Sequence, residues 1–219
     1  MLKDRSKTES ASSSFFSSRK NSEAQPQARA SHGLDQFFAS IQGEENLSIL
    51  DFAGASQANI GFITALGHRI YSNDVLHVLE DMFGTQGDFS INQADPERAS
   101  TFLRETFSFQ DQSFDGALLW DTLQFLAPPL LDQTVEQLAR VLRPGAFLLA
   151  FFHADEKNTS SPLYSYRILT AKTMSLTPRG VVRPTQYFNN RSLEKLFQKF
   201  QSVKFFLTRD HLREVIVRR

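Results

Sequence analysis

The sequence predicts an α/β domain with a doubly wound, mostly parallel sheet and an antiparallel strand hairpin at its C-terminal end. From residue 34 onward, short apolar strands alternate with amphipathic helices, an order typical of parallel strands joined by crossover helices. The segments 115–120 and 146–152 are apolar on both faces, as strands between two helical layers are. Only five residues join the last two strands. Because so short a link holds no crossover helix, these strands are predicted to pair antiparallel.

A serine-rich segment precedes the domain. Residues 1–33 include six serines between Ser10 and Ser18, and they bury too little apolar surface to offset the entropy of ordering the chain. We therefore expect a disordered tail over residues 1–33 and one domain over residues 34–219. Phe15 and Phe16 within the tail are either a short docking motif or part of an inert segment.

The first half of the domain is predicted from its hydrophobic periodicity. Apolar residues at positions 34, 37, 38 and 41 share one face of a helix. Gly67 stands where a left-handed residue would end a helix, and Asp95 stands where a helix would begin. The predicted elements are a helix over 34–41, a strand over 47–52, a helix over 58–66, a strand over 69–72, a helix over 75–83 and a helix over 96–104.

The second half follows the same alternation until an insertion interrupts it. The predicted elements are a strand over 115–120, a helical turn over 122–125, a helix over 134–142, a strand over 146–152, a helix over 191–200 capped by Asn190, and strands over 203–208 and 214–218. Residues 158–188 form an insertion before the last helix, which we interpret as a solvated loop or as part of a binding site.

Composition excludes several classes of function. Lys and Arg number 24 against 24 Asp and Glu, and no basic face of the kind that binds nucleic acid stands out. No apolar stretch reaches the roughly 20 residues that span a bilayer, and the N-terminus lacks the apolar core of a secretory signal. The absence of cysteine excludes disulfides and thiolate metal sites. A soluble, cytoplasmic protein is the expectation.

The turn after the first strand carries the strongest chemical signal. Asp51 ends the strand, and the small residues Ala53, Gly54 and Ala55 lead into a helix. Ligands of open α/β sheets bind at the carboxyl ends of the strands, where a turn of small residues lets the backbone approach and a helix N-terminus offers free N–H groups. Asp74, 23 residues after Asp51, is placed to accept hydrogen bonds from a ribose diol.

Three segments together resemble the class I S-adenosylmethionine-dependent methyltransferases of the type 11 kind. Residues 48–57 resemble the family's Leu-Asp-x-Gly-x-Gly-x-Gly motif, residues 107–126 resemble its Leu-Pro-Phe-x-Asp-x-Ser-Phe-Asp segment, and residues 138–152 resemble its Leu-Arg-Pro-Gly-Gly run. The resemblance implies a Rossmann-like fold, S-adenosylmethionine as cofactor, and methyl transfer to an acceptor that the sequence does not identify.

The chain departs from the family at the glycine motif. Ala53, Ala55 and Gln57 occupy its three glycine positions, and the Gln57 side chain would either donate a hydrogen bond to the cofactor or fill its site. The acid that the family often carries after its third strand falls at Leu103, two residues before Glu105. A catalytically inactive, methyltransferase-like binding or scaffold protein is therefore the alternative. A dinucleotide oxidoreductase is disfavoured because Gly-x-Gly-x-x-Gly is absent.

The resemblance also implies roles for individual residues. The implied cofactor-binding residues are Asp51, Ala53, Gly54, Ala55, Gln57, Asp74 and Trp120. Asp51 would lie near the cofactor's amino group or cap the turn, and Asp74 would hold the ribose hydroxyls or cap the next helix. As catalytic candidates, Asp121 would orient or deprotonate the acceptor or cap a helix, and His153 would act as a base or be structural.

The insertion is the region that would shape an acceptor site in this family. Tyr166, Arg167 and Arg183 lie within it and would suit an anionic methyl acceptor. The alternative is that all three belong to a solvated loop.

Overall fold

The structure, a computed structural model, describes residues 25–84, 87–154, 160–182, 184–208 and 211–219. The strands are β1 (Gln27–Ala30), β2 (Ser48–Asp51), β3 (Arg69–Ser72), β4 (Phe114–Trp120), β5 (Leu142–His153), β6 (Ser161–Thr170), β7 (Thr173–Val182), β8 (Ser202–Leu207) and β9 (Leu212–Arg218). The helices are α1 (His32–Ser40), α2 (Gln57–Ala65), α3 (Val75–Phe83), α4 (Phe89–Asn92), α5 (Pro96–Thr106), α6 (Pro128–Val141) and α7 (Asn190–Leu196), with a 3₁₀ turn at Thr122–Phe125. Within these described ranges, no helix combines the length and apolarity needed to cross a bilayer.

The main sheet has six strands in the order β3-β2-β4-β5-β9-β8. Strands β3, β2, β4 and β5 run parallel, whereas β9 pairs antiparallel with β5 and β8 antiparallel with β9. Strands β4 and β5 lie at the centre, and β4 and residues 148–152 of β5 are almost entirely buried, as the apolar sequence of both faces requires. The predicted doubly wound sheet with a C-terminal antiparallel hairpin is confirmed.

Helix ends follow the capping residues of the sequence in most places. Asp74 caps α3 and Asp95 caps α5, while Gly67 adopts a φ of 82° beyond the end of α2. The last helix is a correction, since α7 is capped by Asn189 rather than Asn190. Helix α6 begins at Pro128, six residues before its predicted start at 134, because proline is well tolerated in the first turn of a helix.

The insertion forms a second sheet, which corrects its interpretation as a loop. Strands β6 and β7 pair as an antiparallel hairpin, and β1 adds antiparallel to β7 to give the order β1-β7-β6. Ordered structure therefore begins before the predicted boundary at residue 33, since β1 and the start of α1 fall inside the predicted tail. Phe15 and Phe16 and the rest of residues 1–24 lie outside the described residues, as does Arg183.

No strand lies between α3 and β4 among the described residues, where the chain is helical through α4 and α5. Leu103, at the position of the acid that follows the family's third strand, lies inside α5, in agreement with the predicted helix over 96–104. Strand β3 is consequently an edge of the main sheet. The part of the pocket that a third strand would form is therefore built differently here.

A hydrophobic core covers each face of the main sheet. Helices α3, α5, α6 and α7 contribute to the core on one face, and α1, α2 and the second sheet contribute to the core on the other. The second sheet thus extends the helical layer formed by α1 and α2. This arrangement places the β6–β7 hairpin against α2, beside the carboxyl ends of β2 and β4.

A buried carboxylate on β9 binds the N-terminal arm, which consists of β1 and the first turn of α1, to the main sheet. Glu214 is fully buried and accepts hydrogen bonds from Ser31 Oγ at 2.9 Å and Gly33 N at 2.6 Å. Arg29 Nη2 lies 3.3 Å from its other oxygen. Because buried charges require charged or hydrogen-bonding partners, this cluster fixes β1 and the first turn of α1.

Candidate functional site

Asp51 lies at the carboxyl end of β2 with all its observed bonds made inside the protein. Its Oδ1 accepts from Trp120 Nε1 at 2.6 Å and from Ala53 N at 3.0 Å, and its Oδ2 accepts from Asn59 Nδ2 at 3.1 Å. Burial raises the pKa of Asp51, and the hydrogen bond from Trp120 is the largest influence opposing that rise. Asp51 therefore binds the protein's own donors at the position predicted for a cofactor's amino group.

Trp120 occupies the space beside Asp51. Its indole stacks on the Tyr166 ring, with centroids 5.0 Å apart and planes 11° from parallel, and meets Phe151 edge-on. The residue has a φ of 51°, a left-handed conformation that costs a bulky residue on the order of 1–3 kcal/mol. The hydrogen bond to Asp51 and the stacked ring hold this conformation in place.

Asn59 on α2 joins Asp51 to the hairpin. Besides donating to Asp51, its Nδ2 lies 3.4 Å from Tyr166 O, and its Oδ1 accepts from Ile168 N at 2.8 Å. The amide thereby hydrogen-bonds the backbone of β6 much as a neighbouring strand would. Sequence reasoning missed Asn59; its one signal is a polar residue on the buried face of α2, one turn before Ile63.

The small-residue turn packs directly on the tip of β3. Ala53 forms an isolated antiparallel bridge with Asp74, and Gly54 adopts a φ of 76°. A Cβ added to Gly54 would lie 3.0 Å from the Cβ of Asp74. The Asp74 carboxylate accepts from His77 N at 3.2 Å and caps α3, which is the second of its two predicted roles.

The other residues predicted to bind a cofactor lie outside this cluster. Gln57 is exposed at the first position of α2, and Ala55 is exposed in the turn. The Gln57 side chain therefore does not fill the space beside Asp51. That space is filled by Trp120 and by the hairpin.

Asp121 is buried beneath the hairpin without a hydrogen bond of standard geometry from any described residue to its carboxylate oxygens. It does not cap the following 3₁₀ turn through its side chain. Burial raises its pKa from 3.8 to about 7, while hydrogen bonding by the Tyr166 hydroxyl and by backbone groups and the charge of Arg179 offset that rise only in part. Burial therefore favours the neutral carboxyl group at this position.

His153 faces a different cavity from Asp121. It ends β5, its ring centroid lies 6.2 Å from that of Tyr164, and its backbone N–H donates to Gln124 Oε1 at 3.0 Å. It lines a cavity of about 320 Å³ together with Arg29 and Tyr164. Tyr164 borders both cavities, so it is the residue that the two sites share.

The space left at the predicted cofactor site is about 10 Å³, room for about one water molecule. It is lined by residues of the β2 turn, the tip of β3, the end of β4 and the hairpin, among them Ala53, Asp74, Trp120, Asp121, Tyr166 and Arg179. Pockets for ligands of drug size measure about 300–1,000 Å³. In this conformation the cavity is therefore too small for an S-adenosylmethionine molecule.

Comparisons with known proteins place the central part of the chain. Residues 50–150 match the family model described as Methyltransferase domain. Similar solved structures include a Burkholderia thailandensis 1,6-didemethyltoxoflavin N1-methyltransferase with bound S-adenosylhomocysteine (13% identity, 85% of this chain and 76% of that chain, TM-score 0.46). Others are S-adenosylmethionine-dependent methyltransferases from Methanosarcina mazei (18%, 80% and 93%, 0.45) and Archaeoglobus fulgidus (11%, 85% and 91%, 0.48). No curated protein sequence matches this chain.

Proposed function

We propose that this chain keeps the fold of the methyltransferase domain, whose model residues 50–150 match, as a binding module. In its closed form it would hold no S-adenosylmethionine, the cofactor that the match implies for methyl transfer. One observation carries the proposal: Trp120 donates to Asp51 and stacks under Tyr166 in the space that an adenosyl group would need.

Two further features support the same conclusion. Asp51 already accepts three hydrogen bonds from the protein, so an incoming amino group would have to replace them. On the ribose side, Gly54 lies against Asp74, whose carboxylate caps α3. A ligand at this position would have to displace the hairpin, the indole and the turn together.

Methyl transfer by an opened form is the second candidate, and a specific observation favours it. The hairpin belongs to a separate sheet, and among the described residues the Asn59 side chain hydrogen-bonds its backbone at this site. Movement of the hairpin would leave Asp51, Asp74 and Trp120 facing a cavity in their predicted cofactor-binding roles. Asp121 would then face the acceptor, and His153 would lie at its edge.

Titration calorimetry with S-adenosylmethionine and S-adenosylhomocysteine separates the two candidates. We expect no binding heat from the natural chain or from Tyr166→Ala, which removes the ring that covers Trp120. Tyr187→Ala, at a half-exposed tyrosine, is the matched control for loss of an aromatic side chain. Circular dichroism of each variant establishes that it is folded.

Micromolar binding by the natural chain would overturn the proposal. Binding by Tyr166→Ala alone would favour the second candidate, because it would mean that the hairpin blocks an otherwise competent site. Absence of binding by all three folded proteins would support the binding module.

A further inference from the structure

We propose that the packing of the β6–β7 hairpin on the main sheet depends on the protonation state of Asp121, so that loss of its carboxyl proton releases the hairpin from the main sheet. This inference goes beyond the proposed function and holds whether or not the cavity beneath the hairpin binds a cofactor.

The position of Asp121 carries the proposal. Its carboxyl group is buried at the end of β4, and the residues over it come from the hairpin: Tyr164 and Tyr166 from β6, and Arg179 from β7. Neither carboxylate oxygen accepts a hydrogen bond of standard geometry from a described residue, and the nearby Tyr166 hydroxyl and backbone groups lower the pKa only in part. A neutral carboxyl group tolerates such surroundings, whereas an ionised carboxylate without adequate partners is strongly unfavourable when buried.

The charged side chains near Asp121 do not balance the charge that its carboxylate would carry. Arg179 is the cation lining the cavity, and its attraction lowers the pKa of Asp121 only in part. Asp74 lines the same cavity and Asp51 lies behind Trp120, so both are carboxylates on the same side of the hairpin. His153 lines a different cavity from Asp121, next to the Tyr164 ring.

Tyr166 does not take over the proton. Burial and the adjacent Asp121 hold the pKa of its hydroxyl well above the ordinary range, although the charge of Arg29 on β1 opposes this. The hydroxyl therefore stays protonated throughout the neutral range. Ionisation of Asp121 thus places a net negative charge under the hairpin rather than moving a proton within the pair.

The direction in which hairpin opening depends on pH follows from the pKa of Asp121 in the closed and open states. With the hairpin seated, the pKa of Asp121 is about 7, and with the hairpin lifted the hydrated carboxyl returns toward its ordinary 3.8. Below the lower pKa both states hold the proton, and seating is strongest. Between the two values the equilibrium constant for opening rises with pH, and above about 7 it levels off. The two values give an increase of about 50-fold from about pH 5 to about pH 7.

Hydrogen exchange of backbone amides measures this opening directly, because it detects rare local unfolding. After correction for intrinsic exchange, we expect protection of the β6 and β7 amides in the natural chain to fall about 50-fold over that pH range. The amides of β4 and β5 should keep their protection, since they lie in the main sheet.

Asp121→Asn tests the assignment because asparagine has similar size and does not ionise. We expect it to remove most of the pH dependence of hairpin exchange. Asp74→Asn is the matched control at the same cavity, since asparagine also caps helices, and it should retain the dependence. The comparison also separates Asp121 from Asp51, whose pKa is raised by burial and which would act with the same sign.

Two results would overturn the inference. The first is a pH dependence that persists in full in folded Asp121→Asn. The second is a loss of protection that is equal in the hairpin and in β4 and β5, because it would show that Asp121 affects the stability of the whole domain. If Asp121→Asn does not fold, flat hairpin exchange in the natural chain still refutes the proposal and a 50-fold change confined to the hairpin supports it.

Discussion

Replacing Trp120 by Phe removes the donor to Asp51 and keeps an aromatic ring in the cavity. Leaving a buried acceptor without its donor costs about 1–3 kcal/mol, and trimming the indole to a phenyl ring costs about 1 kcal/mol of apolar burial. The backbone strain at φ 51° remains, because phenylalanine also has a Cβ. We therefore expect Trp120→Phe to lower the free energy of unfolding by about 3 kcal/mol, which corresponds to a fall in Tm of about 10 °C for a domain of this size.

Urea titration followed by circular dichroism gives this value, with an unchanged m confirming that the same surface unfolds. Tyr166→Phe is the control: it keeps the stacked ring and removes a buried hydroxyl that lacks a standard hydrogen bond to any described residue, so it should change stability by less than about 1 kcal/mol. A loss below about 1 kcal/mol in Trp120→Phe would refute the bond between the indole and Asp51.

Two further predictions concern the turn and the N-terminal arm. Gly54→Ala should lower the free energy of unfolding by about 1–3 kcal/mol in thermal unfolding, because the added Cβ would meet Asp74 and the residue has a positive φ. Gly61→Ala is the control: nothing lies within 4 Å of the added Cβ, so the substitution should stabilise α2 by about 0.5–1 kcal/mol. Equal effects of the two substitutions would contradict this prediction. Glu214→Ala should cost about 3 kcal/mol in urea unfolding by leaving buried donors unpaired, with a smaller loss for Glu214→Gln; an unchanged midpoint would contradict the role of Glu214.

Much of the main sheet could be predicted because local chemistry and tertiary structure agree there. Asp95 followed by Pro96 is a strong signal for a helix start, and α5 begins there. Strands β4 and β5 are apolar on both faces, so they can only lie between layers. The antiparallel pairing of the last two strands could be predicted because the five residues between the predicted strands are too few for a crossover helix.

The β6–β7 hairpin was missed for an identifiable reason. The buried positions of β6 change from odd numbers, ending at Leu163, to even numbers, starting at Tyr166. The pairing also shifts register here, where Arg179 of β7 has no partner residue in the ladder. A bulge of this kind breaks the alternation by which a strand is predicted. The two prolines of these strands, Pro162 and Pro178, further weaken the pattern.

The proximity of four of the proposed site residues could be predicted from the sequence, whereas their contacts with one another could not. Asp51, Asp74, Trp120 and Asp121 do lie near one another, because the carboxyl ends of parallel strands meet at one edge of the sheet. The left-handed backbone of Trp120 has no local signal, since nothing in the flanking residues demands it. Its conformation depends on Asp51, Phe151 and Tyr166, which are distant in sequence.

The pairing of β1 with β7 has a consequence for how the chain is made. Gln27 opposes Leu176, so the two strands are about 150 residues apart in sequence. A ribosome adding about 5–20 residues per second therefore takes roughly 7–30 s to supply the partner of a strand that it synthesised near the start. Throughout that interval the nascent N-terminal arm has exposed backbone donors and acceptors, and this is the stage of biogenesis at which a chaperone would have the most to bind.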